Sequence, residues 1–376
     1  MSNLKRISNA WLLTAIVASV GCSGNARPSL AIDATPQTAV ADSAYADAIA
    51  GASPIASALT RESPAISVAV AANGELVWSA AYGHSNLDSA KEATPSDRFR
   101  IYSLSKVITA SAMMALAERN LMDLDAAIEQ YVPAYPNPGG AITARRLAGH
   151  LGGIRHYRDD EALWTRRCGT PEEALPVFKS DPLVHPAGTK YLYSSWGYVL
   201  LSRAIESAAK TGFAEAVGRL ALQPAGIKHV ELEAMSRGGP MMVGMYEPHR
   251  DSVQHARTVD NSCKWGAGAF IASAEEIALF GAALLSQKIV NKQSLEAMLT
   301  PMRTTAGVST DYGMGLGVGK DSSGRRRATH SGSAIGGRSA LYLLPDDGIV
   351  VVLLSNVEGE RLTGAAGSIA AKFARR

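Results

Sequence analysis

No Gly-x-Ser-x-Gly elbow occurs in the 376 residues, so the nucleophile turn of an α/β-hydrolase esterase is excluded. No His-Glu-x-x-His and no Cys/His grouping with ligand spacing is present, and no metal or other cofactor is expected. Aromatic residues are sparse, at 6%, and 37 Lys and Arg face 34 Asp and Glu. A nucleic-acid partner therefore lacks its footprint. The densest basic run, Arg325-Arg326-Arg327, reads as a solvated hairpin tip. Internal repeats are also missing. Cysteine is nearly so, with Cys22, Cys168 and Cys263 only.

What stands at the N-terminus is an export pattern. Lys5 and Arg6 precede the apolar stretch Trp11–Val20, which is too short to span a bilayer as a folded anchor. Cys22 follows Val20-Gly21 and is a candidate for lipidation and a membrane tether, although Ser19 stands where a leucine is usual. A signal cut near Ala26 without lipidation is the alternative. Residues 1–26 are expected to be a signal, or a lipoprotein signal ending before Cys22, and 27–37 a tether; either way the mature protein is periplasmic or membrane-anchored. In that oxidising setting Cys168 and Cys263 form an even pair, as a disulfide or as two buried thiols.

Residues 38–61 are alanine-rich and suit a helix. Ala65–Val70, Asn73-Gly74 and Leu76–Gly83 predict strand, turn and strand. Helical patterning dominates from Ser105 to about Ser273. Strands return at Ala328–Ser331, Ser339–Leu344 and Gly348–Ser355, with Pro345-Asp-Asp-Gly348 as a turn, and a helix closes the chain from about Arg361. An α+β fold is expected, with an antiparallel sheet built from both chain ends (38–104 and 274–376). A mainly helical lobe, 105–273, is inserted into it.

Three separated segments carry complementary chemistry. Ser103 lies three residues before Lys106, so on a helix both side chains share one face, and a lysine there can take the serine proton. The spacing alone is weak, because Ser2/Lys5 and Ser207/Lys210 repeat it. Tyr193-Ser194-Ser195 brings a phenol whose pKa a nearby ammonium lowers, making it a general base. His330-Ser331-Gly332-Ser333 leads into a strand where glycine lets substrate backbone approach and a main-chain N–H can feed an oxyanion hole.

Together and in this order, the motifs resemble the serine β-lactamase and penicillin-binding-protein superfamily, in its class C β-lactamase/D-Ala-D-Ala carboxypeptidase branch. Further anchors are Leu147–His150 with Gly152–Tyr157, Trp265–Phe270 and Tyr312–Gly315. Gly153–Tyr157 and Tyr193–Tyr198 are most similar to the serine β-lactamase-like proteins whose eukaryotic members are mitochondrial. The resemblance implies a β-lactamase/transpeptidase-like fold and Ser103 as the acylated nucleophile. It implies Lys106 as proton partner, Tyr193 as general base and later acid, and the N–H groups of Ser103 and Ser333 as the oxyanion hole. Ser195, His330, Ser331 and Gly332 would meet substrate.

Two departures bear on substrate. Ser195 replaces an asparagine amide that reaches the substrate carbonyl. His330 replaces a lysine whose charge helps to bind a drug carboxylate, a loss of about ten- to a hundredfold in recognition. Arg338 is a candidate replacement cation, or an exposed strand-edge arginine. His150 reads as structural. The expected function is an exported serine hydrolase, peptidase- or esterase-like, with at most weak β-lactamase activity. The alternatives are a true class C-like β-lactamase and a non-catalytic penicillin-recognising or assembly protein.

Overall fold

The computed structural model describes residues 35–136, 142–233, 241–359 and 362–374. The expected signal, Cys22 and all but the last residues of the tether lie outside them. Both chain ends build one antiparallel sheet from β1 (Gln37–Ala41), β2 (Ala65–Ala72), β3 (Glu75–Asn86), β4 (Gly317–Lys320), β5 (Arg326–Ala334), β6 (Gly337–Leu344) and β7 (Ile349–Ser355). Its spatial order is β1-β3-β2-β7-β6-β5-β4. The β2–β3 turn carries φ of +51° at Asn73 and +94° at Gly74. Both central residues are thus left-handed, as a twist-matched two-residue hairpin requires.

The alanine-rich segment 38–61 is not the single helix expected. Gln37 to Ala41 pair with the exposed flank of β3, Gln37 opposite Ala81 and Ala41 opposite Trp78. Helix α1 (Ala46–Ala58) starts only after Asp42, whose carboxylate accepts the N–H of Ala44. An unpaired strand edge and a local cap outweigh alanine's helix propensity here.

Apolar layers cover both faces of the sheet. Along β2, Ile66, Val68 and Val70 pack outward beneath α1 and the terminal helix α5 (Leu362–Phe373). The alternate positions are small: Ala65, Ala69 and Ala71 face inward. Helix α4 (Ala274–Leu285) lies on that inner face, so closely that a Cβ on Gly281 would sit 2.7 Å from Val350. Stacking two cores on one sheet gives the chain enough buried apolar area to hold a long insertion.

Two buried helices organise the insertion, α2 (Ser105–Glu118) and α3 (Ser195–Ala209). The insertion is less helical than expected. From Gly149 to Ser194 only short 3₁₀ turns occur, and Tyr246–His249 pairs with Ser252–His255 as a hairpin. Gly149, Gly152, Gly153, Pro171, Pro176, Pro182 and Pro186 interrupt any longer helix. Side chains hold the irregular segment instead. Buried Arg155 pairs with Glu161 and Asp181, and Cys168 is disulfide-bonded to Cys263. The expected solvated tip at Arg325–Arg327 is also tied down, Arg325 to Asp321 and Arg326 to Glu296 and Asp346.

Candidate active site

Ser103 sits in a single 3₁₀ turn, Tyr102–Leu104, that runs straight into α2. Tyr102 holds φ of +47°, uncommon for a bulky residue, and its hydroxyl donates to the carbonyl of Ile335. That anchored, strained residue fixes the direction of the next side chain. One turn on, Lys106 is fully buried, with Nζ 3.0 Å from Ser103 Oγ, 3.2 Å from Ser195 Oγ and 2.6 Å from the carbonyl of Ala267. Burial pushes the Lys106 pKa well below that of an ordinary lysine, and the nearby charge of Lys264 pushes it further. Nζ donates to all three oxygens, the Ala267 carbonyl, Ser195 Oγ and Ser103 Oγ; once deprotonated it has a lone pair to offer the Ser103 O–H.

The tyrosine motif is delivered by the start of α3. Ser194 caps it, accepting the N–H of Gly197 at 2.9 Å while its own hydroxyl donates to the carbonyl of Arg155. Two histidines clamp the motif's backbone. The Ser194 N–H donates to His150 Nδ1 and the Ser195 N–H to His156 Nδ1, each at 3.2 Å. Accepting at Nδ1 makes both rings neutral Nε2–H tautomers. Their pKa values agree: burial drives that of His150 well down and that of His156 to about 4, with the Lys106 charge the next cause in each case. His150 also packs on Tyr193, ring centroids 4.3 Å apart, so it holds the catalytic motif in place.

Tyr193 departs from expectation. Its hydroxyl pKa is raised rather than lowered, because burial dominates and hydrogen bonds to Ser103 and Ser195 offset it only in part. Lys106 Nζ does lie over the ring, 4.9 Å from its centroid, but its charge is not among the causes that shift the phenol. The site thus sets a lysine of lowered pKa beside a phenol of raised pKa.

The third motif lies on the part of β5 that outruns β4. Pairing with β4 stops at Thr329, so His330 to Ala334 have β6 on one side and a free edge on the other. His330 is buried, with Nδ1 2.8 Å from the carbonyl of Ser331 and its ring near Tyr193 and Tyr312. Burial, then the Lys106 charge, lowers its pKa to about 3, against a smaller raising effect of the Ser331 bond. His330 is therefore neutral at physiological pH. Ser331 is exposed. Gly332 faces inward: a Cβ there would lie 2.4 Å from the Ile101 carbonyl, 2.4 Å from Ser339 Oγ and 2.9 Å from the Ser103 nitrogen. Gly332→Ala must push the strand away from Ser103. It is expected to lower kcat by about 10²- to 10³-fold with a smaller change in KM, measured on whichever ester the wild type turns over.

Ser103, Ser195 and Ser333 line one cavity of about 260 Å³. Arg338 does not line it. Ser339, its neighbour on β6, donates inward to the Ile101 carbonyl, and strand alternation turns Arg338 to the opposite face. Three wall residues were given no role from the sequence: His156, Tyr157 and Lys264. Their place in the wall is set by the packing of distant segments. The anchor Trp265–Phe270 begins one position after Lys264, and the half-motif Gly152–Tyr157 already contained the other two.

Comparisons with known proteins agree with this fold. Residues 44–373 match the family described as Beta-lactamase. The chain is 25% identical to the serine beta-lactamase-like protein LACTB, mitochondrial, of Homo sapiens, over 82% of its own length and 76% of that protein. Among solved structures, the octameric penicillin-binding protein homologue from Pyrococcus abyssi superposes with a TM-score of 0.72 at 24% identity, covering 82% of this chain and 73% of that one. EstCE1, a hydrolase with promiscuous acyltransferase activity, superposes with a TM-score of 0.76 at 16% identity, covering 88% and 99%.

Proposed function

The chain belongs to the β-lactamase family of serine hydrolases, and on that premise we propose that it is an exported enzyme cleaving esters or amides through a Ser103 acyl-enzyme, with β-lactams poor substrates. The observation that carries this reading is the Ser103–Lys106 pair: a nucleophile 3.0 Å from an amine whose pKa burial lowers well below that of an ordinary lysine.

In acylation Lys106 takes the Ser103 proton as Oγ bonds to the substrate carbonyl carbon. The carbonyl oxygen becomes an oxyanion facing the N–H groups of Ser103 and Ser333. Collapse breaks the bond to the leaving group. That group departs with the Tyr193 phenolic proton, which the Lys106 ammonium replaces. Deacylation reverses the roles: water gives a proton to the Tyr193–Lys106 pair, its oxygen bonds to the acyl carbon, and Ser103 leaves and is reprotonated.

Neutral His330 supports the low ranking of β-lactams, since no fixed cation on β5 meets a drug carboxylate beside Tyr193. The test is a panel on the mature protein of a p-nitrophenyl ester, a D-Ala-D-Ala peptide and a chromogenic cephalosporin. Turnover of the ester or the peptide is expected to exceed that of the cephalosporin at least about tenfold in kcat/KM. Cephalosporin hydrolysis near the diffusional ceiling overturns the ranking.

A further inference from the structure

Lys264 is a second buried lysine in the cavity wall, and it lacks what buried cations require. It is 7% exposed, and its Nζ donates to one group, the carbonyl of Ala162 at 2.9 Å. The ring of Tyr157 lies 5.8 Å away. Among the described residues no carboxylate comes within 4.0 Å. Of its acidic neighbours, Glu233 is engaged by Arg100 and Asn261, and Asp260 accepts the Ser262 N–H. Glu358 also lines the cavity, but it forms no ion pair with Lys264 and acts instead on Tyr102. Lysine is almost never buried without a partner. Here two N–H donors remain over beside empty space.

The position of that space says which part of a substrate fills it. The cavity wall includes Ser103, Ser333, Ala334 and Ile335, but not Tyr193, His330 or Tyr312. The leaving group must lie against Tyr193, which protonates it. Ser195 and His156, which contact Tyr193, also line it; from the nucleophile it runs past Ser333 to Ile335, beyond the end of β5 away from His330, and there it receives the acyl portion.

We propose that Lys264 is a specificity-determining residue that binds a carboxylate on the acyl portion of the substrate, making the enzyme selective for acidic acyl groups. The proposal rests on the acyl-enzyme reading above and deepens it. Lys264 is set rigidly for this. The Cys168–Cys263 disulfide fixes its preceding residue, and Trp265 holds the next at φ of +36°. Burial, and secondarily Arg100, lowers its pKa to about 8, and an incoming carboxylate favours the charged form.

The test compares mono-4-nitrophenyl succinate, glutarate and adipate with neutral 4-nitrophenyl esters of the same carbon count, corrected for spontaneous hydrolysis. In the wild type at least one acidic ester is expected to exceed its neutral counterpart about tenfold or more in kcat/KM. Lys264→Met is expected to reduce that ratio about 10- to 100-fold, and Lys264→Arg to retain most of it. A wild type that prefers every neutral ester, or a ratio unmoved in Lys264→Met, overturns the proposal while leaving the hydrolase reading intact. Should Lys264→Met not fold, or no ester react, thermal melts of the wild type decide the matter. One of the three free dicarboxylates is expected to raise Tm where its diamide does not, and no difference for any pair rejects carboxylate binding.

Discussion

Ser103→Ala is expected to lower kcat/KM for any substrate the wild type hydrolyses by at least about 10⁴-fold, with folding intact. The loss is large because no other hydroxyl at the cavity is both held against Lys106 and free to react. Ser195 Oγ also lies near Lys106, at 3.2 Å, but Ser195 is 3% exposed and its hydroxyl is engaged by Tyr157 and Tyr193. What survives is direct water attack helped by binding and the oxyanion donors, and nucleophile removals in other serine hydrolases leave about that residue of rate. Stability should change little, since alanine fits the same turn and Tyr102 still anchors it through Ile335. Steady-state rates, a thermal melt and acid-quench mass spectrometry of the Ser103 peptide check all three parts. Full activity in the variant, or an acyl adduct on another residue, rejects Ser103 as nucleophile.

The parts of this site legible in the sequence were those whose chemistry is local. Ser103 and Lys106 meet because one helical turn brings them together, and Asn73-Gly74 makes its hairpin because both residues accept positive φ. Order along the chain then picked this pair from three copies of the same spacing. The electrostatics were not legible, because they depend on depth. Tyr193 was expected to be acidified by an ammonium; burial instead lowers the pKa of the lysine and raises that of the phenol. A clue was present in α2 itself. From Val107 to Ala117 the sequence has no charged residue, and a helix apolar all round is a buried helix. Lys106 opens that helix and is buried with it.

Other misses were competitions between elements far apart in the chain. The segment Gln37–Ala41 became a strand because β3, forty residues on, presents an edge. Lys264 and His156 belong to segments about a hundred residues apart that meet only in the folded insertion. Arg338 was a reasonable candidate by distance along the chain, but strand alternation, a period of two, turns it away from the nucleophile. The cation that does face the cavity comes from the insertion.

Lys106→Met should lower kcat by about 10³- to 10⁴-fold, because it removes the group that accepts the Ser103 proton while the rest of the site stays in place. Its effect on stability separates a neutral lysine from a charged one. In the unfolded chain Lys106 is protonated up to about pH 10.4; in the folded protein its depressed pKa leaves it neutral well below that. Unfolding therefore takes up a proton, and wild-type stability rises with pH through the window between the two pKa values. The slope is about 1.4 kcal/mol per pH unit for this one group. Methionine fills a similar volume and has no such slope. The stability difference between wild type and Lys106→Met should thus shift in favour of the wild type by that amount per unit as pH rises, and level off near pH 10.4. Denaturant melts of the two proteins at several pH values measure it. A difference independent of pH would mean that Lys106 is charged when folded, and the first proton would then have to go to Tyr193.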